Sequence, residues 1–345
     1  MLPIPSFFDP ERAADWSYRP DAALLATAAT DWRAQHRIRP SAAAELRVHL
    51  LLIDVQKDFC FPEGTLYVGG RSGRGAIDDS RRIAELVYRH LDVVTEITTT
   101  LDTHLAYQIF FPSFWLDRDD HQLSAFRTIT SDQIAGGDVR PNPAMAKWLC
   151  GGNYTWLCKQ VLHYCKELEH AGKYQLYLWP PHCLLGSDGH ALAGVVHEAR
   201  LFHAFARTAQ SNVEVKGGNP LTENYSVLRP EVLSRFDGAA LAQRNTQFVH
   251  TLLAADAVVI AGQAASHCVK STIDDLLGEI AAQDPKLASK VYLVTDCMSA
   301  VTVPDGNGGF AADFTAQADV ALQKFADAGM HLVKSTDPID SWGIR

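Results

Sequence analysis

The sequence contains no long run of apolar residues, although 47% of its 345 residues are hydrophobic. A membrane-spanning helix needs about 20 consecutive apolar residues, and no segment approaches that length. The first residues, Met1 to Phe7, also lack the basic and apolar regions of a secretory signal. We therefore expect no membrane association and a cytoplasmic location.

The sequence also lacks an excess of positive charge. It has 31 Lys and Arg residues against 40 Asp and Glu residues, which gives a formal net charge of −9. A negative surface repels nucleic-acid phosphates and anionic lipid headgroups. We therefore expect neither nucleic acid nor membrane as a partner.

A disulfide framework is missing as well. The seven cysteines are an odd number without regular spacing, at positions 60, 150, 158, 165, 183, 268 and 297. No CxxC pair suggests a zinc knuckle. This usage indicates reduced thiols, in agreement with a cytoplasmic protein.

Short apolar segments alternate with amphipathic helical segments along most of the chain. The segments predicted as strands are residues 49–55, 93–101, 174–179, 212–215, 257–262 and 290–296. Such alternation favours parallel strands joined by right-handed helical crossovers. The sequence therefore predicts an α/β fold: a doubly wound, six-stranded parallel sheet with helices on both faces.

The domain organisation follows from where this alternation starts and where it breaks. Residues 1–45 precede the first strand and are predicted to form an N-terminal extension that packs on the core or on a partner subunit. Residues 46–345 are predicted to form one domain. Aromatic and loop-forming residues interrupt the pattern at about 105–174, which we interpret as an insertion.

Cys268 lies where the strand at 257–262 turns into a helix. Ser266 is the predicted N-cap of that helix, so the thiol falls in the first helical turn. Unpaired N–H groups and the positive end of the helix dipole favour a thiolate there, and they could hold an oxyanion during acyl transfer. The alternative is that Cys268 is a small buried hydrophobe, as many free cysteines are.

Reactive side chains stand at or just after the ends of several predicted strands. They are Asp54, Asp102 with His104, His182, Lys216 and Cys268. In parallel sheets the ligand site lies beyond the carboxyl ends of the strands, so these side chains are expected to meet.

Three of these residues make chemical sense as a nucleophilic triad. Asp54 could accept the thiol proton of Cys268 and return it to a leaving amine. Lys216 would stabilise the thiolate and hold Asp54 ionised, because two negative groups side by side would otherwise repel each other.

The remaining three strand-end residues suit a metal. Asp102, His104 and His182 supply one carboxylate and two imidazoles, which leaves open positions on a divalent ion. That ion could hold a ring nitrogen of a substrate or orient a water molecule.

Five segments occur in one order across residues 48–300. They are DVQKDF at 54–59, DTH at 102–104, WPPHC at 179–183, KG at 216–217 with NYS at 224–226, and GQAASHCV at 262–269. Together they resemble the nicotinamidase branch of the isochorismatase-like cysteine hydrolases, so the resemblance implies the isochorismatase-like hydrolase fold.

The resemblance also implies a reaction. Asp54, Lys216 and Cys268 would be the catalytic triad of an amidohydrolase that converts nicotinamide and water to nicotinate and ammonia through a thioester on the cysteine. A bound divalent metal is implied as a cofactor, with zinc expected and iron or manganese as alternatives. Its ligands would be Asp102, His104 and His182.

The same resemblance assigns roles around the substrate. The backbone N–H groups of Ala264 and Cys268 would form an oxyanion hole, and the peptide bond before Ala264 is a candidate cis bond. Phe59, Trp179 and Tyr225 match the aromatic walls that hold a pyridine ring. Assemblies are common in the family, so a homo-oligomer is expected.

The sequence departs from the family in ways that leave the substrate open. The segment between His104 and His182 is long for the family, and His121 within it is either a further ligand or a surface residue. Residues 1–45 have no counterpart. One alternative is a related cysteine hydrolase acting on another amide, such as a ureido or carbamoyl compound. Another is a binding module without catalytic activity.

Overall fold

The computed structural model describes residues 1–171 and 174–344. Gly172 and Lys173, within the predicted insertion, and Arg345, at the end of the predicted domain, lie outside the described residues.

The strands of the described chain fall into one large sheet and three small ones. In chain order they are β1 (Val48–Ile53), β2 (Glu96–Asp102), β3 (Trp115–Asp117), β4 (Arg127–Ile129), β5 (Val139–Pro141), β6 (Leu176–Leu178), β7 (Asn212–Lys216), β8 (Ala257–Gly262), β9 (Val291–Val294), β10 (Thr302–Pro304), β11 (Phe310–Asp313) and β12 (His331–Val333).

The large sheet has six strands in the order β12-β9-β8-β1-β2-β7, and each pair of neighbours in it is parallel. This confirms the predicted six-stranded parallel sheet. β1, the central strand, is buried along its whole length between β8 and β2.

Helices cover both faces of this sheet. In chain order the helices of the described residues are α1 (Ala22–His36), α2 (Lys57–Cys60), α3 (Gly75–Arg89), α4 (Ser131–Ala135), α5 (Ala146–Cys150), α6 (Tyr154–His170), α7 (Gly194–Arg207), α8 (Thr246–Leu253), α9 (Cys268–Gln283) and α10 (Thr315–Asp327), of which α4, α5 and α6 pack in the middle segment and not on the sheet. Among the described residues, none of the helices combines the length and the apolar content that crossing a bilayer requires.

Alternate residues of β1 face two separate cores. Leu50 and Leu52 pack in one core with residues of α1, α3 and α7, whereas Leu51 and Ile53 pack in another with residues of α8, α9 and α10. Because successive side chains of a strand point to opposite faces, this division fixes which helices lie on which side.

The membership of the sheet differs from the prediction at one strand. The segment 174–179 does form a strand, β6, but it pairs antiparallel with β4 outside the central sheet. Its Leu176 and Leu178 are buried in a third core. The sixth strand of the central sheet is β12, which the sequence pattern did not indicate. Apolar alternation indicates a strand but not the partner with which it pairs.

The third core gathers the aromatic residues of the predicted insertion. Phe110, Phe114 and Trp115 pack there with residues of α6 and with Trp179. This core therefore positions one side of the pocket described below.

The first 45 residues lie on the α3 and α7 side of the sheet. Leu25 and Ala29 of α1 are buried, and the ring of Trp32 lies 6.2 Å from that of Phe202 on α7. The division into an extension, one domain and an insertion stays a prediction.

Candidate active site

Four neighbouring strands bring the candidate triad to one edge of the sheet. Asp54 follows β1, Lys216 ends β7, and Cys268 begins α9 six residues after β8. Asp102 ends β2 directly opposite Lys216 in the strand register. Because the strands are parallel, their carboxyl ends meet at this edge.

Lys216 is at the centre of the group. Its Nζ lies 2.9 Å from Asp54 Oδ2, 2.9 Å from Asp102 Oδ1 and 3.7 Å from Cys268 Sγ. All four side chains are buried. One ammonium group therefore contacts the candidate nucleophile, the candidate base and a candidate metal ligand.

The charges of this cluster are set by burial and by Lys216. Burial raises the pKa of Asp54 and outweighs the opposing effect of Lys216. Burial likewise raises the pKa of the Cys268 thiol well above its ordinary value, again against Lys216. Burial lowers the pKa of Lys216, but Asp102 and Asp54 hold it well above its ordinary value. The ammonium of Lys216 is therefore charged and the resting thiol of Cys268 keeps its proton, while Lys216 opposes the effect of burial on Asp54.

The helix that carries Cys268 starts differently from the prediction. Its N-cap is His267, not Ser266, and no side chain caps it. The Ser266 hydroxyl instead bonds His267 Nδ1 at 2.8 Å and accepts the N–H of Val301 at 3.0 Å. Ser266 lies one residue too early, and its oxygen is already engaged.

The turn before the helix exposes two backbone donors. The peptide bond between Gln263 and Ala264 is cis, as the sequence resemblance predicted. Within the described chain, neither the N–H of Ala264 nor that of Cys268 has a hydrogen-bond acceptor. Both residues line one pocket, so these groups are free to hold a developing oxyanion.

The candidate metal ligands converge beside the triad. Asp102 Oδ2 lies 2.8 Å from His104 Nε2 and 3.5 Å from His182 Nε2, and the three ligand atoms all lie within 4.8 Å of one another. All three residues are buried.

In both imidazoles, the hydrogen bond at Nδ1 determines whether Nε2 carries a proton or a lone pair. His182 Nδ1 lies 2.8 Å from the carbonyl of Pro180, and His104 Nδ1 lies 3.3 Å from that of Gly217. A carbonyl only accepts, so each Nδ1 is assigned the proton and each Nε2 a lone pair. Burial lowers the pKa of His104, which keeps its ring neutral. Two lone pairs and a carboxylate at one point fit a divalent cation.

The predicted aromatic walls line the same pocket. Phe59, Trp179 and Tyr225 surround it together with Cys268, and the cavity volume is about 50 Å³. Trp179 Nε1 donates to the Tyr225 hydroxyl at 2.8 Å, which locks two walls together. A cavity lined by flat aromatic rings suits a planar group.

The sequence reasoning missed several residues at this site. Phe110, Glu223, Asn224 and His267 also line the pocket, and the Thr100 hydroxyl donates to Asp54. Phe110 belongs to an aromatic cluster that is visible in the sequence. Asn224 and His267 lie within the segments NYS and GQAASHCV, but the resemblance gave neither of them a role. Glu223 and Thr100 carry no local signal, since single polar residues in loops and strands are common.

His121 lies apart from the site. Its side chain is 78% exposed and pairs with Asp117 at 3.7 Å. With Asp119 these residues form a separate, mostly exposed group of potential ligands. Of the two interpretations left open by the sequence, the surface residue fits.

Comparisons with known proteins agree with this architecture. The nicotinamidase of Escherichia coli K12 is 26% identical over 152 residues, which cover 43% of this chain and 59% of that protein. The match therefore spans less than two thirds of that relative. A solved nicotinamidase and pyrazinamidase structure from Acinetobacter baumanii matches 85% of this chain and 98% of its own, with a TM-score of 0.50 and 19% identity. No protein-family model matches the chain.

The structural match shows the fold, and the sequence match links part of the chain to a nicotinamidase. The resemblance noted in the sequence is thereby confirmed. The chain has the predicted isochorismatase-like hydrolase fold, and part of it is similar in sequence to a nicotinamidase.

Proposed function

We propose that this protein is an amidohydrolase that converts nicotinamide and water to nicotinate and ammonia through a thioester on Cys268. The observation that carries the proposal is the position of Lys216, in contact with both Asp54 and Cys268 beside an aromatic pocket. A charged ammonium there stabilises a thiolate, and a carboxylate within the same contact network can move its proton.

The first half of the reaction forms the thioester. Cys268 gives its proton to Asp54 while Sγ attacks the carboxamide carbon. The N–H groups of Ala264 and Cys268 hold the resulting oxyanion. Asp54 then passes the proton to the departing nitrogen, the C–N bond breaks, and ammonia leaves.

The second half hydrolyses the thioester. Asp54 takes a proton from a water molecule as the oxygen of that water attacks the thioester carbon. The C–S bond breaks, nicotinate is released, and the proton returns to Cys268. The raised pKa of Asp54 suits this role, because a carboxyl group that keeps a proton readily can carry it between steps.

The aromatic walls select the ring. Phe59 lines the pocket together with the hydrogen-bonded pair of Trp179 and Tyr225. Flat apolar faces favour a planar heteroaromatic ring, which places its carboxamide near Cys268.

A divalent metal belongs to this proposal. Asp102, His104 and His182 would hold it, with zinc as the expected ion and iron or manganese as alternatives. The inward lone pairs of both imidazoles support a cation at this point. When bound, such an ion supplies a Lewis acid that can orient a ring nitrogen or a water molecule.

The test is ammonia release from nicotinamide by the wild type, by Cys268→Ala and by Cys165→Ala. Cys165 is buried in the third core and serves as the matched control. We expect Cys268→Ala to lose at least about a thousandfold in turnover and to keep binding nicotinate, while Cys165→Ala stays active.

Two outcomes would speak against the proposal. Substantial turnover by Cys268→Ala would remove the thioester route. No turnover by the wild type, with Cys268 still reactive towards a thiol reagent, would favour the alternative hydrolase of ureido or carbamoyl compounds. The cytoplasmic location and the homo-oligomer stay predictions.

A further inference from the structure

A buried carboxylate outside the pocket contacts the segment that carries Ala264. Asp79 lies on α3 and is 2% exposed. Its Oδ2 accepts one hydrogen bond from Gln263 Nε2 at 2.9 Å and another from the Ser299 hydroxyl at 2.6 Å. The residues that line the pocket do not include Asp79.

Besides pairing with Arg82 at 3.5 Å, Asp79 accepts hydrogen bonds from two residues that hold Ala264 from both sides. Gln263 precedes Ala264 across the cis peptide bond, and the Ser299 carbonyl accepts the N–H of Ala265 at 2.8 Å. The N–H of Ser299 in turn lies 3.4 Å from Gln263 Oε1. Asp79, Gln263 and Ser299 therefore close a ring of hydrogen bonds around this turn.

The carboxylate of Asp79 sets the direction of the hydrogen bonds among Asp79, Gln263 and Ser299. A carboxylate only accepts, so it turns the amide group of Gln263 towards α3 and leaves Oε1 for Ser299. The N–H of Gln263 is tied separately to the carbonyl of Ile53 at 2.7 Å. The residues flanking Ala264 are thus fixed, while its own N–H stays free.

Close packing leaves this arrangement little freedom. A Cβ added at Gly75 on α3 would lie 2.5 Å from Ser299 Oγ. The helix that carries Asp79 is therefore in direct contact with the segment it holds.

We infer that Asp79 is a positioning residue for the oxyanion hole. It fixes the direction of the Ala264 N–H through Gln263 and Ser299 without touching the substrate. The inference rests on the proposed function, because it requires that this N–H hold the oxyanion of an attacked amide.

The experiment compares Asp79→Ala with Asp78→Ala. Asp78 lies on the same helix, with a side chain 32% exposed that pairs with Arg74 at 3.9 Å. For Asp79→Ala we expect kcat for nicotinamide to fall about ten- to a hundredfold with little change in KM, as a small misplacement of a catalytic group does. Asp78→Ala should keep wild-type values.

A pair of inhibitors separates positioning from general damage. Pyridine-3-carbaldehyde accepts Cys268 Sγ at its carbonyl carbon: the S–H bond breaks and its proton passes to Asp54, the C–S bond forms, the carbonyl π bond breaks, and the oxygen enters the oxyanion hole. Nicotinate forms no such bond. In Asp79→Ala the inhibition constant of the aldehyde should rise by the same factor as kcat falls, while that of nicotinate should stay nearly constant. A parallel rise of both would overturn the inference.

Two further variants cover the case in which Asp79→Ala does not fold. Asp79→Asn keeps the shape and should lose less activity than Asp79→Ala, and Ser299→Ala removes one bond of the ring and should show the same split between inhibitors. If the wild type hydrolyses nicotinamide and both Asp79→Asn and Ser299→Ala behave like it, the inference is contradicted and the proposed function is not. An inactive wild type would contradict the proposed function and the inference with it.

Discussion

Lys216 stands between two buried carboxylates and beside a buried thiol. Its ammonium group offsets the negative charge of Asp54 and Asp102, and the same side chain would stabilise the thiolate of Cys268. Stability and reactivity therefore depend on one residue, and a substitution there should affect both.

Replacing Lys216 by Met leaves two carboxyl groups buried without a counter-charge. We expect the free energy of unfolding to fall by about 3–5 kcal/mol, the usual cost of breaking a buried ion pair. Urea denaturation measures it. Lys270→Met is the control: Lys270 pairs with Asp274 at 3.0 Å with a side chain 37% exposed, and its loss should cost less than about 1 kcal/mol. Equal effects of the two substitutions would contradict this account.

Glu223 is a buried acid that the triad chemistry does not use. Its Oε2 accepts a hydrogen bond from the Tyr164 hydroxyl at 2.7 Å, and burial raises its pKa from 4.5 to about 8. The folded protein thus keeps this proton up to about pH 8, whereas the unfolded chain releases it near pH 4.5. Between these pH values the folded state binds more protons than the unfolded chain, so the free energy of unfolding falls as pH rises.

This linkage predicts the pH dependence of one variant. Glu223→Gln cannot ionise, so the stability of the wild type should fall relative to it between about pH 4.5 and pH 8. The slope should be at most about 1.4 kcal/mol per pH unit. Unfolding titrations across this range measure the difference. Glu167→Gln is the control, because the native side chain is 50% exposed, and its free energy of unfolding should vary with pH as that of the wild type does. If the free energy of unfolding of Glu223→Gln also varies with pH as that of the wild type does, the linkage is refuted.

At the scale of elements, the connection from β8 to α9 positions the nucleophile. Gly262 ends β8 with a φ of +120°, and an added Cβ there would lie 2.1 Å from the carbonyl oxygen of Ile53. Only glycine fits a backbone that turns this close to β1.

Gly262→Ala should therefore move the turn that carries Ala264 and Cys268. We expect a loss of stability of about 2 kcal/mol or more, together with a fall in turnover. Gly278→Ala on α9 is the matched control, because a Cβ there meets no atom within 4 Å. It should stabilise the protein by about 0.5–1 kcal/mol, since alanine favours a helix. Thermal unfolding of both variants, with opposite shifts expected, checks the pair.

Most large elements were predictable from periodicity, and the errors have physical causes. The pattern at 174–179 indicated β6 but not its partner, because pairing depends on the third core rather than on local alternation. β12 has only three residues, His331–Val333, too few for a period to appear. The N-cap of α9 was misplaced by one residue because Ser266 bonds His267 and Val301 instead.

At the scale of the whole molecule, the candidate site joins residues far apart in sequence. Asp54, Asp102, Lys216 and Cys268 meet because the strands that precede or carry them are parallel neighbours, and that much follows from the order of elements. The ring around Asp79 could not be predicted this way. Asp79 lies inside an ordinary amphipathic helix, and its role follows only from what packs against α3.

The third core links the long middle segment to substrate choice. Phe110 and Trp179 belong both to this core and to the pocket lining. Residues around 105–179 thus shape the pocket while the central sheet supplies the candidate chemistry, so in the proposed enzyme this segment would bear on which amide is accepted.

The most direct test of the central claim is ammonia release from nicotinamide by the purified full chain, measured before and after treatment with a chelator. Turnover that the chelator removes and added zinc restores is the predicted result, because the proposal needs both Cys268 and the ion at Asp102, His104 and His182. A protein that releases no ammonia with zinc bound and Cys268 reactive would contradict the account.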